Sequence, residues 1–171
     1  MKLDWLGKHR KIVSSFYRSA NGYSQICKLE IFGREVQFSP YEEKIMELIM
    51  EYGDENRNMK WYAQQLGLSQ ATYSRYVKQL VNKGLVEKYH AENNQKNIIL
   101  RVSELGIREY RIYAEESRTV RFPKLLERLD TLTPEQWQAV EDIFVIWGDF
   151  HHEPAVPSDE ADTVKLIKIV D

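Results

Sequence analysis

The chain has 171 residues, 43% of them hydrophobic and 29% charged, with a formal net charge of -2. That is one domain's worth of polypeptide, or a small domain with an oligomerisation arm, and its balance is that of a soluble globular protein. No apolar run approaches the roughly 18 residues of a membrane helix, and a single cysteine, Cys27, excludes a disulfide framework and fits a reducing compartment.

The N-terminal stretch MKLDWLGKHRKIVSSF is charged throughout and lacks the apolar centre of a signal peptide, so a cytoplasmic protein is expected. Trp5, His9, Ile12, Val13, Phe16, Tyr17, Ala20, Tyr23 and Cys27 recur at three- and four-residue steps, the stripe of an amphipathic helix weakened locally by Gly22. The pattern breaks around FGREVQFSP. Ser39 then reads as an N-cap, Pro40 as a first helical residue and Glu42 as the returning carboxylate of a capping box. This helix should bury Ile45, Leu48 and Ile49 and stop near EYGDEN.

A short helix, MKWYAQQLG, ends at Gly67, and Ser69 caps a third that runs to Gly84. Two β-like runs follow, LVEKYHA and NIILRV, separated by the polar turn ENNQK. Ser103 or Glu104 starts a helix through Tyr110 and Tyr113, which Pro123 should interrupt before KLLERLDTL. Thr133, Pro134 and Gln136 repeat the capping pattern ahead of a last helix with Trp137, Val140, Ile143, Phe144 and Trp147. The tail ends in VKLIKIV, whose alternation suits an edge strand or a docked extension.

Charge is unevenly spread. Between Arg57 and Arg101 eight Lys or Arg face two acids, a local surplus of +6 in a chain whose total is -2. Phosphate attraction acts over a Debye length of roughly 8 Å, so the local surplus outweighs the distant total.

Helix, helix, short turn, helix and two-stranded hairpin is the order of a winged helix-turn-helix. On the third helix Tyr73, Tyr76, Val77 and Leu80 form one apolar face, leaving Ala71, Arg75, Lys78 and Asn82 outward, flanked by Ser74 and Gln79. A recognition helix needs that division, since its front must enter a groove roughly 12 Å wide. Arg75 offers a fork that matches the two acceptors of guanine, and Gln70 an amide that matches adenine; Thr72 stands beside them on the first turn. Ser69, Ser74, Lys78 and Gln79 suit the phosphate backbone. The hairpin tip would carry Asn93, Asn94, Gln95 and Lys96 towards the neighbouring minor groove.

The stretches VQFSPYEEKIMELIMEYG, LGLSQATYSRYVKQLVNKGLVEKY and NIILRVSELG resemble MarR-type transcriptional regulators over residues 38–106. The resemblance implies a mostly α protein with a small antiparallel β-hairpin, a winged helix-turn-helix over 37–106 between dimerisation helices at 1–36 and 107–153, and an acidic extension at 154–171. It also implies a homodimer that binds a palindromic duplex operator, more readily as a repressor than as an activator, and a possible small-molecule effector. The family's wing carries Asp-x-Arg; here those positions are Asn94 and Lys96, and lysine lacks the arginine fork.

Other readings are weaker. Cys27 lies on an apolar stripe, which favours a core cysteine over a redox sensor. Adjacent His151 and His152 in DFHHEP point to different sides of a helix, so no metal site is expected. Trp5, Trp61, Trp137 and Trp147 could line an effector cavity, although aromatics at helical spacing usually form core. The sequence has no phosphate-cradling glycine loop, HExxH, CxxC or nucleophile elbow, so neither an enzyme nor a cofactor is expected. The competing reading is a winged-helix adaptor or antirepressor whose basic face meets an acidic protein.

Overall fold

Ser39 sits in extended backbone, and its hydroxyl accepts from the Glu42 N–H at 3.3 Å while Glu42 Oε2 accepts from the Ser39 N–H at 2.7 Å. This reciprocal box, with Pro40 at the first helical position, starts α2 (Pro40–Tyr52) where the sequence places it. The computed structural model describes residues 5–55, 57–91, 94–148 and 166–168. Before α2 comes α1 (Arg10–Leu29); after it come α3 (Met59–Gln65) and α4 (Gln70–Asn82). Asn58 caps α3 by accepting from the Trp61 N–H at 2.9 Å. Gly67 and Gly84, at φ of 61° and 71°, end α3 and α4 in the left-handed region that a Cβ disfavours.

The core fills the space between these helices and the sheet: Phe38, Ile45, Met46, Ile49, Tyr62, Tyr73, Val77, Leu80, Leu85 and Leu100 are all buried. Those on the helices and on β2 come from the face that the period assigns inward, while Phe38 and Leu85 enter from the connections beside them.

Strands β1 (Val86–Ala91) and β2 (Asn94–Val102) form the antiparallel wing, with Val86 opposite Val102 and Tyr89 opposite Ile99. The ladder shifts register at His90/Ala91, and β2 begins at Asn94, so pairing runs further into the polar turn than composition suggests. A third strand, β3 (Leu166–Lys168), pairs antiparallel with Tyr89–Ala91, giving the order β2-β1-β3. Within the alternating tail, Leu166–Lys168 form an edge strand.

Ser103 caps α5 (Glu104–Glu116), accepting from the Gly106 N–H at 3.0 Å and donating to the Gly84 carbonyl at 2.6 Å. The helix loses its α pattern in a π turn, Ser117–Arg121, before Pro123 opens α6 (Pro123–Leu129). Thr133 and Gln136 cap α7 (Pro134–Gly148) reciprocally, at 3.0 and 3.4 Å. Helices α1, α6 and α7 contain no buried residue. Phe16 stacks on Trp147 with centroids 4.9 Å apart, yet Trp5, Ile12, Tyr17, Phe144, Val145 and Ile146 remain exposed. The apolar stripe of α1 is therefore real, but among the described residues it finds no core.

Candidate nucleic-acid interface

The back of α4 is fixed by burial: Tyr73, Val77 and Leu80 are at most 1% exposed. Tyr73 stacks parallel to Tyr62 of α3, and burial pushes its phenol well above the usual range. Tyr76, expected on the same face, is only half-buried; it stacks against Tyr41 of α2 at 5.3 Å. With the back pinned on two helices, the front has one orientation. Gln70, Arg75, Lys78 and Gln79 are exposed, and Thr72 and Ser74 are half-buried beside them.

Ser69 is exposed at the start of α4, where its hydroxyl accepts from the Thr72 N–H at 3.1 Å and donates to Thr72 Oγ1 at 2.9 Å. These two hydroxyls hold each other and the first turn. No acid occupies that turn, so the positive end of the helix dipole is uncompensated there. The Arg75 guanidinium lies 5.2 Å over the Tyr76 ring, which supports the side chain without neutralising it.

The surplus of cations is smaller in space than in the sequence. Lys83 pairs with Glu42 at 2.6 Å, Arg57 with Glu55 at 2.8 Å and Arg101 with Asp54 at 3.6 Å, while Arg101 also donates to the Gly53 carbonyl. All three acids precede the counted run. Among the described residues, Lys60, Arg75 and Lys78 carry no ion pair and are exposed. Lys60 on α3 had no signal of its own in the sequence beyond its charge. Lys96 lies in β2; its backbone is placed and its side chain is outside the description.

The remaining candidates do not assemble. Trp61 packs on Tyr52 and Tyr62, Trp147 on Phe16, and Trp5 and Trp137 are exposed, so the four tryptophans line no common cavity. Trp61, Trp137 and Trp147 are placed by three different helix faces and Trp5 by the turn before α1, which spacing along one helix cannot relate to one another. Cys27 is half-buried on α1, with Tyr23 and Tyr41 beside it, and does not join the core. Residues 149–153, with the two histidines, lie outside the described residues. Among the described residues no group of His, Cys, Asp and Glu could hold a metal ion, and no helix is long and apolar enough to cross a membrane.

The family model for winged helix-turn-helix DNA-binding domains matches residues 39–87, from the α2 cap into β1. No curated protein sequence matches the chain. Among solved structures, the PcaV transcriptional regulator of Streptomyces coelicolor with its natural ligand is 16% identical, with a TM-score of 0.60 over 89% of this chain and 100% of that one. FabT of Streptococcus pneumoniae in complex with DNA is 14% identical, with a TM-score of 0.57 over 84% and 96%. A cysteine-to-serine mutant of Lactococcus lactis ZitR in complex with DNA is 16% identical, with a TM-score of 0.54 over 85% and 99%. The buried-backed α4, the wing and the helices on either side thus form a winged helix-turn-helix in a fold shared with PcaV, FabT and ZitR, the last a MarR family member.

Proposed function

We propose that this chain is a DNA-binding transcriptional regulator, not an enzyme, that acts in the cytoplasm as a homodimer on a palindromic duplex operator and represses by occlusion. The observation that carries the reading is the outward face of α4, with Gln70, Arg75, Lys78 and Gln79 exposed on a helix whose opposite side is pinned by buried Tyr73, Val77 and Leu80. In this reading Gln70, Thr72 and Arg75 address base edges, Ser69, Ser74, Lys78 and Gln79 address phosphates, and Lys96 serves the wing. FabT and ZitR, solved with DNA, have the same fold. The exposed apolar side chains of α1 and α7 supply the surface a second copy would cover, forming the dimerisation segments 1–36 and 107–153 around the 37–106 winged domain. PcaV was solved with its natural ligand, which supports a response to a small molecule here as well.

Asn94 and Lys96, standing where the family's wing carries Asp-x-Arg, leave a second reading, a winged-helix adaptor or antirepressor whose basic face meets an acidic protein. Duplex binding measured against salt separates the two. A regulator gives a steep line, with log K falling by about 0.9 per phosphate neutralised for each decade of salt. A flat line with weak binding at low salt rejects the DNA reading.

A further inference from the structure

A cleft of about 300 Å³ opens between α2, α5, the π turn and α6, with Glu43, Glu47, Tyr110, Tyr113, Ser117 and Phe122 among its walls. No side chain of α1 or α4 lines it. Two of its residues hold a buried oxygen that makes no hydrogen bond: Glu43 Oε1 and Ser117 Oγ, on side chains 2% and 6% exposed. Unpaired buried oxygens are costly and rare in folded proteins. Ser117 also opens the π turn, an irregularity that recurs at functional sites.

The cations nearby are committed elsewhere. Lys44 Nζ lies 2.5 Å from Glu47 Oε2 but 3.6 Å from Glu43 Oε1, and Arg118 is held by Glu115 at 2.9 Å. Tyr110 of α5 donates its hydroxyl to Glu47 Oε1 at 3.1 Å. The remaining titratable groups facing Glu43 are Tyr113 of α5, whose phenol is pushed up by burial, pulled down by Ser117 beside it and pushed up again by Glu43, and Tyr23 of α1, pushed up by burial and by Cys27 ahead of Glu43. The Tyr113 hydroxyl lies near both oxygens without closing a hydrogen bond of ordinary geometry to either. Among the described residues, the cation facing Glu43 is Lys44, which it shares at longer range with Glu47.

We propose that this cleft binds a small organic cation, a primary ammonium on an aromatic or apolar body, with Glu43 and Ser117 as its acceptors. An ammonium has three donors and no acceptor, so one group satisfies both oxygens. Tyr110, Tyr113 and Phe122 give faces for the charge and the body. An organic carboxylate brings only acceptors and a like charge to Glu43. Burial pushes the Glu43 carboxyl up to about 7 against the pull of Lys44, so near neutrality part of the protein holds a proton that the cation displaces. The inference rests on the small-molecule part of the reading above, but its test uses no DNA, so either can fail alone.

The test is calorimetry on the full chain with benzylamine, and with benzoate as the anion of similar shape. Benzylamine is expected to bind saturably, about tenfold tighter at about pH 8 than at about pH 6, with heats that depend on the buffer because a proton is released. Glu43→Gln keeps the shape, loses about tenfold or more in affinity at about pH 8 and loses the pH dependence. Ser117→Ala weakens binding and keeps the pH dependence. No saturable binding of benzylamine would leave ordered water as the partner of the two oxygens and overturn the proposal. Tighter binding of benzoate, or Glu43→Gln binding with unchanged affinity, would also overturn it.

Discussion

Lys83 Nζ lies 2.6 Å from Glu42 Oε1 and 2.7 Å from Oε2, so the C-terminal cap of α4 is anchored on the capping carboxylate of α2. One buried carboxylate both starts a helix and holds the end of the recognition helix. Lys83→Ala is expected to cost about 1–3 kcal/mol, because Glu42 stays buried with its charge less compensated. The same change should leave the salt slope of duplex binding unaltered, since this ammonium is unavailable to phosphate. Urea melts and salt titrations of one variant check both halves.

Arg75 and Lys78 should separate in the opposite way. Arg75→Ala is expected to lose about 1–3 kcal/mol on the operator and little on random duplex, because a fork on a base edge carries sequence information. Lys78→Ala should weaken both duplexes alike and flatten the salt slope by about 0.9. Competition binding with specific and random fragments reads the difference; equal losses in both variants would refute this division of roles.

Gly106 sits where α5 crosses the start of the wing. A Cβ built there would lie 2.3 Å from the Leu85 carbonyl oxygen and 2.6 Å from Val102 Cγ1. The oxygen is backbone and also accepts from the Ser103 N–H, so it has little freedom to move. Gly106→Ala is expected to destabilise by about 2–4 kcal/mol in chemical denaturation, the range for overpacking a tight contact.

Stability should fall with rising pH through Glu43. Its carboxyl goes from an ordinary 4.5 to about 7 on folding, chiefly through burial, so between those values the folded chain binds a proton that the unfolded chain has released. Its stabilising effect is complete below about 4.5 and is lost as pH passes about 7. Glu43→Gln should therefore be about 1–3 kcal/mol more stable than the parent at about pH 8 and close to it at about pH 4. Denaturation curves at the two pH values decide it.

The dimer has its own test. Ile146 of α7 is 67% exposed in the single subunit. Ile146→Asp should convert the protein to monomer in sedimentation and reduce operator affinity to that of one half-site. A variant that still sediments as a dimer places the interface elsewhere.

Much of the winged domain was legible because its signals are local. Ser39, Glu42, Ser69, Ser103 and Thr133 cap helices through neighbours three residues away, and Gly67 and Gly84 stop them by their own φ. The outward face of α4 followed from its period. What stayed hidden depends on partners distant in the sequence. A linear count of charge credits Lys83 and Arg101 to a basic face, although Glu42 and Asp54 claim them from outside the counted run. The tryptophans do not converge because periodicity fixes a face for Trp61, Trp137 and Trp147 and says nothing of what lies across from it, while Trp5 falls in the turn before α1. Cys27 failed for a related reason: an apolar stripe predicts burial, but nothing local says whether a partner element lies over it, and Cys27 is only half-buried.

Placing β1 between β2 and β3 joins two kinds of pairing in one small sheet. The hairpin partners are neighbours along the chain and close a short loop, whereas Tyr89–Ala91 meet Leu166–Lys168 only after α5, α6 and α7 have been traversed. Loop-closure entropy makes the second contact slower to form, and three residue pairs give it less to hold on to. The wing therefore assembles from the inside out, and the outer strand is the layer whose amides should be first to exchange with solvent.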